Sequence, residues 1–171
     1  MKGKTSLFLN LLLLLISACG YHFMGTGGDF PGKITTLAIS PLENRTKEPN
    51  LSTTLVAAFR REFIFRRELD IVGTHEAEAV LKGTIRSFTS HSLSYDEQGR
   101  VREYRINITL DLFLANKRDE SILWRADGLR RFEEYLASSD VIINEERKNR
   151  AIRKIASDLA EEVYLRIREG F

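Results

Sequence analysis

The chain has 171 residues, 43% hydrophobic and 29% charged, a balance that suits one packed domain and excludes a disordered or collagen-like chain. Its formal charge is +2, but Lys2 and Lys4 belong to an N-terminal apolar leader, and without them 24 basic residues face 24 acidic ones. A mature domain without net charge lacks the electrostatic footprint of a nucleic-acid binder, so nucleic acid is set aside as a partner and any anion site must be a local patch.

Met1 to Lys4 form a positive segment, and Leu7 to Ile16 an apolar run broken only by Asn10. About ten apolar residues fall short of the roughly 20 that cross a bilayer core, so residues 1–18 read as an export signal rather than a spanning helix. The signal ends at Ile16-Ser17-Ala18-Cys19-Gly20, which resembles the cleavage motif of bacterial lipoproteins. That motif needs a thiol, because diacylglyceryl joins the sulfur as a thioether before the chain is cut ahead of it. Cys19 is the only cysteine, so it has no internal disulfide partner and is either the lipidated residue or a free thiol; the motif favours lipidation. Each buried methylene contributes about 0.8 kcal/mol, so two or three acyl chains hold a protein stably in a membrane. Gly20, not Asp, follows the cysteine, which by resemblance to the sorting rule of enteric lipoproteins implies the outer membrane, with the domain on its periplasmic side. Residues 19–33 then read as a lipidated tether, with five glycines and Pro31 between Gly20 and Lys33. Gly25-Thr26-Gly27-Gly28 lacks the preceding strand and following helix of a phosphate loop.

From Ile34 the sequence predicts a single domain over residues 34–171. Ile34 to Ser40 is a β-branched run that ends at Pro41, as a strand does. The period changes to 3.6 near Leu51, where Leu51, Leu55, Phe59 and Phe63 form one stripe of an amphipathic helix with Asn50 or Ser52 as its N-cap. Arg60, Arg61, Arg66 and Arg67, interleaved with Glu62 and Glu68, read as a solvated face. A short strand is expected at Leu69 to Val72 and a longer one at Ala79 to Tyr95, with Leu81, Ile85, Leu93 and Tyr95 on one face. Asp96-Glu97-Gln98-Gly99 supplies a turn. Next comes the strongest alternation in the chain, Tyr104, Ile106, Ile108, Leu110, Leu112 and Leu114 against Arg105, Asn107, Thr109 and Asp111. A polar turn at Asn116 to Ser121 leads to a strand from Ile122 to about Phe132, completing an antiparallel meander. A closing amphipathic helix is expected from about Asn144, through Ile152, Ile155, Ala156, Leu159, Val163 and Ile167.

One apolar sheet face and two amphipathic helices imply an α+β, two-layer sandwich: a roughly four-stranded, mostly antiparallel sheet with both helices on one face. His22, His75 and His91 are scattered, none at metal-ligand spacing with another, and neither a G-x-S-x-G elbow nor an H-E-x-x-H motif is present. Neither catalysis nor a metal is expected, and the lipid on Cys19 is the only attached group expected.

Cys19-Gly20-Tyr21-His22-Phe23 at the mature start, a strand-helix-strand opening, the entry Arg102-Glu103-Tyr104-Arg105-Ile106-Asn107-Ile108-Thr109-Leu110 and a closing helix together resemble the lipopolysaccharide-assembly lipoprotein LptE family. The resemblance covers nearly the whole mature chain. It implies a plug seated in the lumen of an outer-membrane LptD-like β-barrel, helping the barrel to assemble and lipopolysaccharide to reach the outer leaflet. Members are thought to meet lipopolysaccharide through basic residues at a loop end of the domain. Arg100, with Arg102 nearby, is the position that matches, and guanidinium suits bidentate phosphate binding. A second basic loop position has no clear match around Ala137-Ser138-Ser139-Asp140. A rival resemblance starts from Leu37-Ala38-Ile39-Ser40-Pro41-Leu42-Glu43-Asn44-Arg45-Thr46, which looks like the strand and turn of lipoproteins that activate peptidoglycan synthases or form curli-type secretion pores. The long hairpin and C-terminal helix favour the plug.

Overall fold

The computed structural model describes residues 30–170; the leader, Cys19 and the tether up to residue 29 lie outside the described residues. The meander predicted from period-2 alternation is its framework: β4 (Ala79–Tyr95), β5 (Val101–Asn116) and β6 (Ile122–Leu136) pair antiparallel in sequence order. Ahead of them come β1 (Thr36–Ile39), β2 (Glu43–Asn44), helix α1 (Leu51–Arg66) and β3 (Asp70–Ile71); helix α2 (Val141–Glu169) closes the chain.

The sheet has six strands and is mixed, which corrects the four-stranded, mostly antiparallel expectation. Its path is β3-β1-β4-β5-β6, with β2 also on β4. β1 runs parallel to both β3 and β4, and β2 runs parallel to β4. The cause is α1, which carries the chain back to its starting end between β1 and β3, so the next strand enters in the same direction.

One face of this sheet is core. Ile106, Ile108, Leu110, Leu112 and Leu114 of β5 are fully buried, as are Leu81 and Ile85 of β4. They meet Leu55, Phe59 and Phe63 of α1 and Ile155, Leu159, Val163 and Ile167 of α2 in one cluster. Full burial of such a side chain contributes about 1.5–3 kcal/mol, so the shared layer stabilises the sheet and both helices together. The two helices run side by side in the same direction: Asn50 and Thr53 face Asn149 and Ile152 near one end, and Arg66 meets Glu161 near the other.

Three local departures from the sequence expectation have physical reasons. Leu93 and Tyr95 do not share the buried face of Leu81 and Ile85: they are 40% and 61% exposed, because register shifts after Ile85 and after Ser92 change which residues point inward. Phe88 takes the inward role, packing on the core. Asn50 stands at the N-cap of α1 in a left-handed conformation without a capping side-chain bond, and the Ser52 hydroxyl instead bridges the N–H and C=O of Leu42. Helix α2 begins three residues before Asn144, capped by Asp140, whose carboxylate accepts from the Ile142 and Ile143 N–H groups at 2.8 and 3.1 Å.

Phe30, the first described residue, already belongs to the core. Phe30 is buried against Tyr164, ring centroids 6.0 Å apart, and a single 3-10 turn over Pro31–Lys33 leads into β1. The molecule therefore has two ends. At its base are Phe30, the turn between β5 and β6 and the C-terminal ends of both helices. At its tip are the β4–β5 turn and the start of α2, whose 29 residues span about 43 Å.

Candidate functional site

Arg100 and Arg102 lie at the tip, and the β4–β5 turn is built to present them. Asp96 accepts from the Gln98 and Arg100 N–H groups at 3.0 and 2.9 Å, and Gly99 closes the turn with a positive φ of 75°. The same carboxylate receives the Arg100 Nε–H at 2.8 Å, while Arg100 Nη2 donates to Gln98 Oε1 at 3.2 Å. Asp96 therefore orients Arg100. The Arg100 amide first, helped by the Arg100 side chain, holds the Asp96 carboxyl below its ordinary value of 3.8. Arg100 keeps 73% of its side chain exposed despite the pairing. Arg102 is exposed, and its carbonyl accepts the Ala137 N–H at 2.9 Å, which ties the tip hairpin to the loop between β6 and α2.

That loop carries no basic residue, in keeping with the unmatched second position at residues 137–140, yet a basic group does reach it. Arg147, from the second turn of α2, donates through Nη1 to the carbonyls of Leu136 and Ala137 at 3.0 and 2.9 Å. Sequence reasoning missed Arg147, because only the return of the helix over the end of β6 gives it this position. Ser138 N–H is held by Asn144 Oδ1 at 3.1 Å and Asp140 N–H by Ser138 Oγ at 3.2 Å, so the loop is fixed at both ends.

Between hairpin and loop lies an open cleft of about 600 Å³, its wall including Asp96, Arg100, Arg102, Tyr104, Leu136 and Arg147. Tyr104 stacks on Tyr135 at 5.4 Å, giving the floor a rigid aromatic pair. Beside the cleft the first turn of α2 leaves Val141 and Ile142 each 81% exposed and Ile143 43% exposed, with Leu136 57% exposed across from them. Among the described residues the only carboxyl lining the cleft, Asp96, is already committed to Arg100, and no His or Cys lines it. Three guanidinium groups next to bare aliphatic side chains suit an amphiphile that has an anionic head.

On the sheet face away from the helices, Arg130, Phe132 and Glu134 of β6 are exposed, whereas nearer β1 Ala38 and Val80 are buried with Ala77. Arg105 donates to Glu134 at 2.9 Å and lies 4.7 Å over the Phe132 ring, Arg130 donates to the buried Asn107 at 2.8 Å, and Arg86 lies 3.4 Å from Asp111.

Comparison with known proteins places this architecture. No curated protein matches the sequence. Among solved structures, the uncharacterized lipoprotein B of Nitrosomonas europaea superposes with a TM-score of 0.58 at 14% identity, over 87% of this chain and 90% of its own. A putative lipoprotein of Caulobacter crescentus gives 0.54 at 10% identity, over 75% and 89%. A hypothetical protein of Chlamydia trachomatis gives 0.54 at 13% identity, over 78% and 95%. At these identities the likeness is one of fold. The lipopolysaccharide-assembly family LptE matches residues 34–167, from just ahead of β1 to the last turn of α2, and so includes the whole tip cleft. The chain therefore belongs to the LptE family of lipopolysaccharide-assembly proteins.

Proposed function

We propose that the protein is an outer-membrane lipoprotein, anchored through lipid on Cys19 on the periplasmic side, that plugs and helps assemble an LptD-like β-barrel and meets lipopolysaccharide at its tip. Family membership supports the assembly role. The observation that carries the reading is the tip cleft: Arg100, Arg102 and Arg147 stand beside exposed Leu136, Val141 and Ile142, the pairing that phosphates next to acyl chains call for. The sheet face away from the helices supports the plug, since its exposed polar side chains and the ion pairs Arg105–Glu134 and Arg86–Asp111 suit the polar wall of a barrel lumen.

Lipopolysaccharide binding to the detergent-solubilised full-length chain tests the cleft. Replacing both arginines, Arg100→Gln with Arg102→Gln, is expected to weaken binding about tenfold through lost charged hydrogen bonds. Arg118→Gln, in the turn at the opposite end, leaves binding unchanged. Equal binding by all three proteins would remove the tip as the lipopolysaccharide site.

A further inference from the structure

Helix α1 leaves a second amphiphilic surface that the tip cleft does not use. Phe65 is 75% exposed and Ile64 58% exposed, on the side of the helix away from Leu55, Phe59 and Phe63. Arg60, Arg61 and Arg67 surround them. Among the described residues no carboxylate lies within ion-pair distance of these three, and Arg60 makes only a 3.4 Å bond to the Ile39 carbonyl. The acidic side chains close by are taken: Glu62 and Glu161 pair with Arg66, and Glu68 with Arg168. The patch is thus apolar at its centre and positive at its rim.

Its position identifies what it meets. The patch is on the last turn of α1, at the base, where Phe63 touches the Tyr164 ring with centroids 5.4 Å apart while Phe30 touches the same ring at 6.0 Å. The chain leading to Cys19 leaves from Phe30, eleven residues away in sequence, a reach of at most about 40 Å. An anchor at Cys19 therefore keeps this end within about 40 Å of the membrane.

We infer that Ile64, Phe65, Arg60, Arg61 and Arg67 form a docking surface for the anionic phospholipid leaflet in which Cys19 is anchored. Phe65 and Ile64 enter the boundary between headgroups and acyl chains, and the arginines take the phosphates. Each basic residue close to an anionic surface strengthens binding about fivefold, so the patch fixes the orientation of a domain that the tether alone would leave free to turn. This inference rests on the anchored reading for the identity of the leaflet.

The test uses the mature chain, residues 19–171, with Cys19→Ser and hence without lipid, so that neither the anchor nor a barrel contributes. Cys19 is the only cysteine, so Phe65→Cys in this chain accepts a single environment-sensitive fluorophore. Its emission is expected to shift to the blue on vesicles of phosphatidylcholine with phosphatidylglycerol, and to stay unchanged on phosphatidylcholine alone and with a label at His91→Cys on the sheet face away from the helices. The double variant Ile64→Ser with Phe65→Ser is expected to lower vesicle co-sedimentation about tenfold with unchanged circular dichroism. No shift at position 65, an equal shift at 91, or undiminished sedimentation of the double variant overturns the inference, as does a photo-crosslinker at 65 that captures the barrel in cells instead of lipid. Mass spectrometry of the Cys19 peptide from envelopes reads the anchor separately, so either idea can fail without the other.

Discussion

Among the described glycines, Gly83 in β4 has the least room for a side chain, and Gly83→Ala tests that packing. A Cβ there would lie 2.3 Å from the Asp111 carbonyl oxygen, 2.5 Å from Leu112 Cδ2 and 3.1 Å from Leu112 Cα. The Leu112 methyl could turn aside, but Asp111 O is backbone in the middle of the β4–β5 ladder, where Gly83 pairs with Leu112. Relief needs about 1 Å of separation at that point, since real carbon–oxygen contacts stay beyond 3 Å. Little slack is available: Leu81, Ile85, Leu110 and Leu112 around it are fully buried, and the Asp111 side chain is tied to the Gly128 N–H at 2.7 Å. Overpacking of this kind costs about 1–3 kcal/mol, and the entropy lost by the unfolded chain on replacing Gly by Ala offsets only about 0.4–1 kcal/mol. A net loss of about 1 kcal/mol corresponds to a fall in Tm of roughly 4 °C for a domain of this size. Thermal unfolding followed by circular dichroism measures it, and an unchanged or raised Tm would refute the packing argument.

Asp140→Ala removes both bonds that cap α2, and a urea titration is expected to show about 1 kcal/mol less stability with an unchanged m-value. Tyr164 Oη is buried with no hydrogen-bond partner among the described residues, and burial, helped by the Glu68 carboxylate, pushes its phenol up to about 12 from 10.0. A raised phenol contributes stability that is complete below pH 10 and is lost as pH climbs toward 12, so the wild-type chain is expected to lose about 2 kcal/mol across that window and Tyr164→Phe to lack this loss. Because Phe keeps the ring under Arg66 and against Phe63, Tyr164→Phe is also expected to be at least as stable as wild type at pH 7 by chemical denaturation. Asp96 is expected to titrate below 3.8 by NMR, with the Arg100 amide resonance following it, so the tip turn holds at neutral pH and loosens only as pH falls through that lowered value.

The meander was legible because its residues alternate with period 2 and its turns carry Asp, Gly and Asn. Helix α1 was legible from the spacing of Leu51, Leu55, Phe59 and Phe63. Strand β2 was not, since Glu43 and Asn44 are two exposed polar residues whose partners, Thr84 and Ile85, are about 40 positions away. Nor was the parallel pairing of β1, which depends on where α1 returns the chain. The start of α2 was misplaced because Val141, Ile142 and Ile143 are exposed and fit no buried stripe, although Asp140 ahead of them was a usable cap signal. At the candidate site, Arg100 and Arg102 could be reached by resemblance, whereas Arg147 acts through two loop carbonyls that only the fold brings to it.

The partner decides the account. Affinity purification of the tagged full-length chain from detergent-solubilised envelope, with mass spectrometry of whatever co-purifies in stoichiometric amount, is the most direct measurement. A large outer-membrane β-barrel in about equal amount is the predicted result; a peptidoglycan synthase, or the protein alone as a ring-sized oligomer, would contradict it.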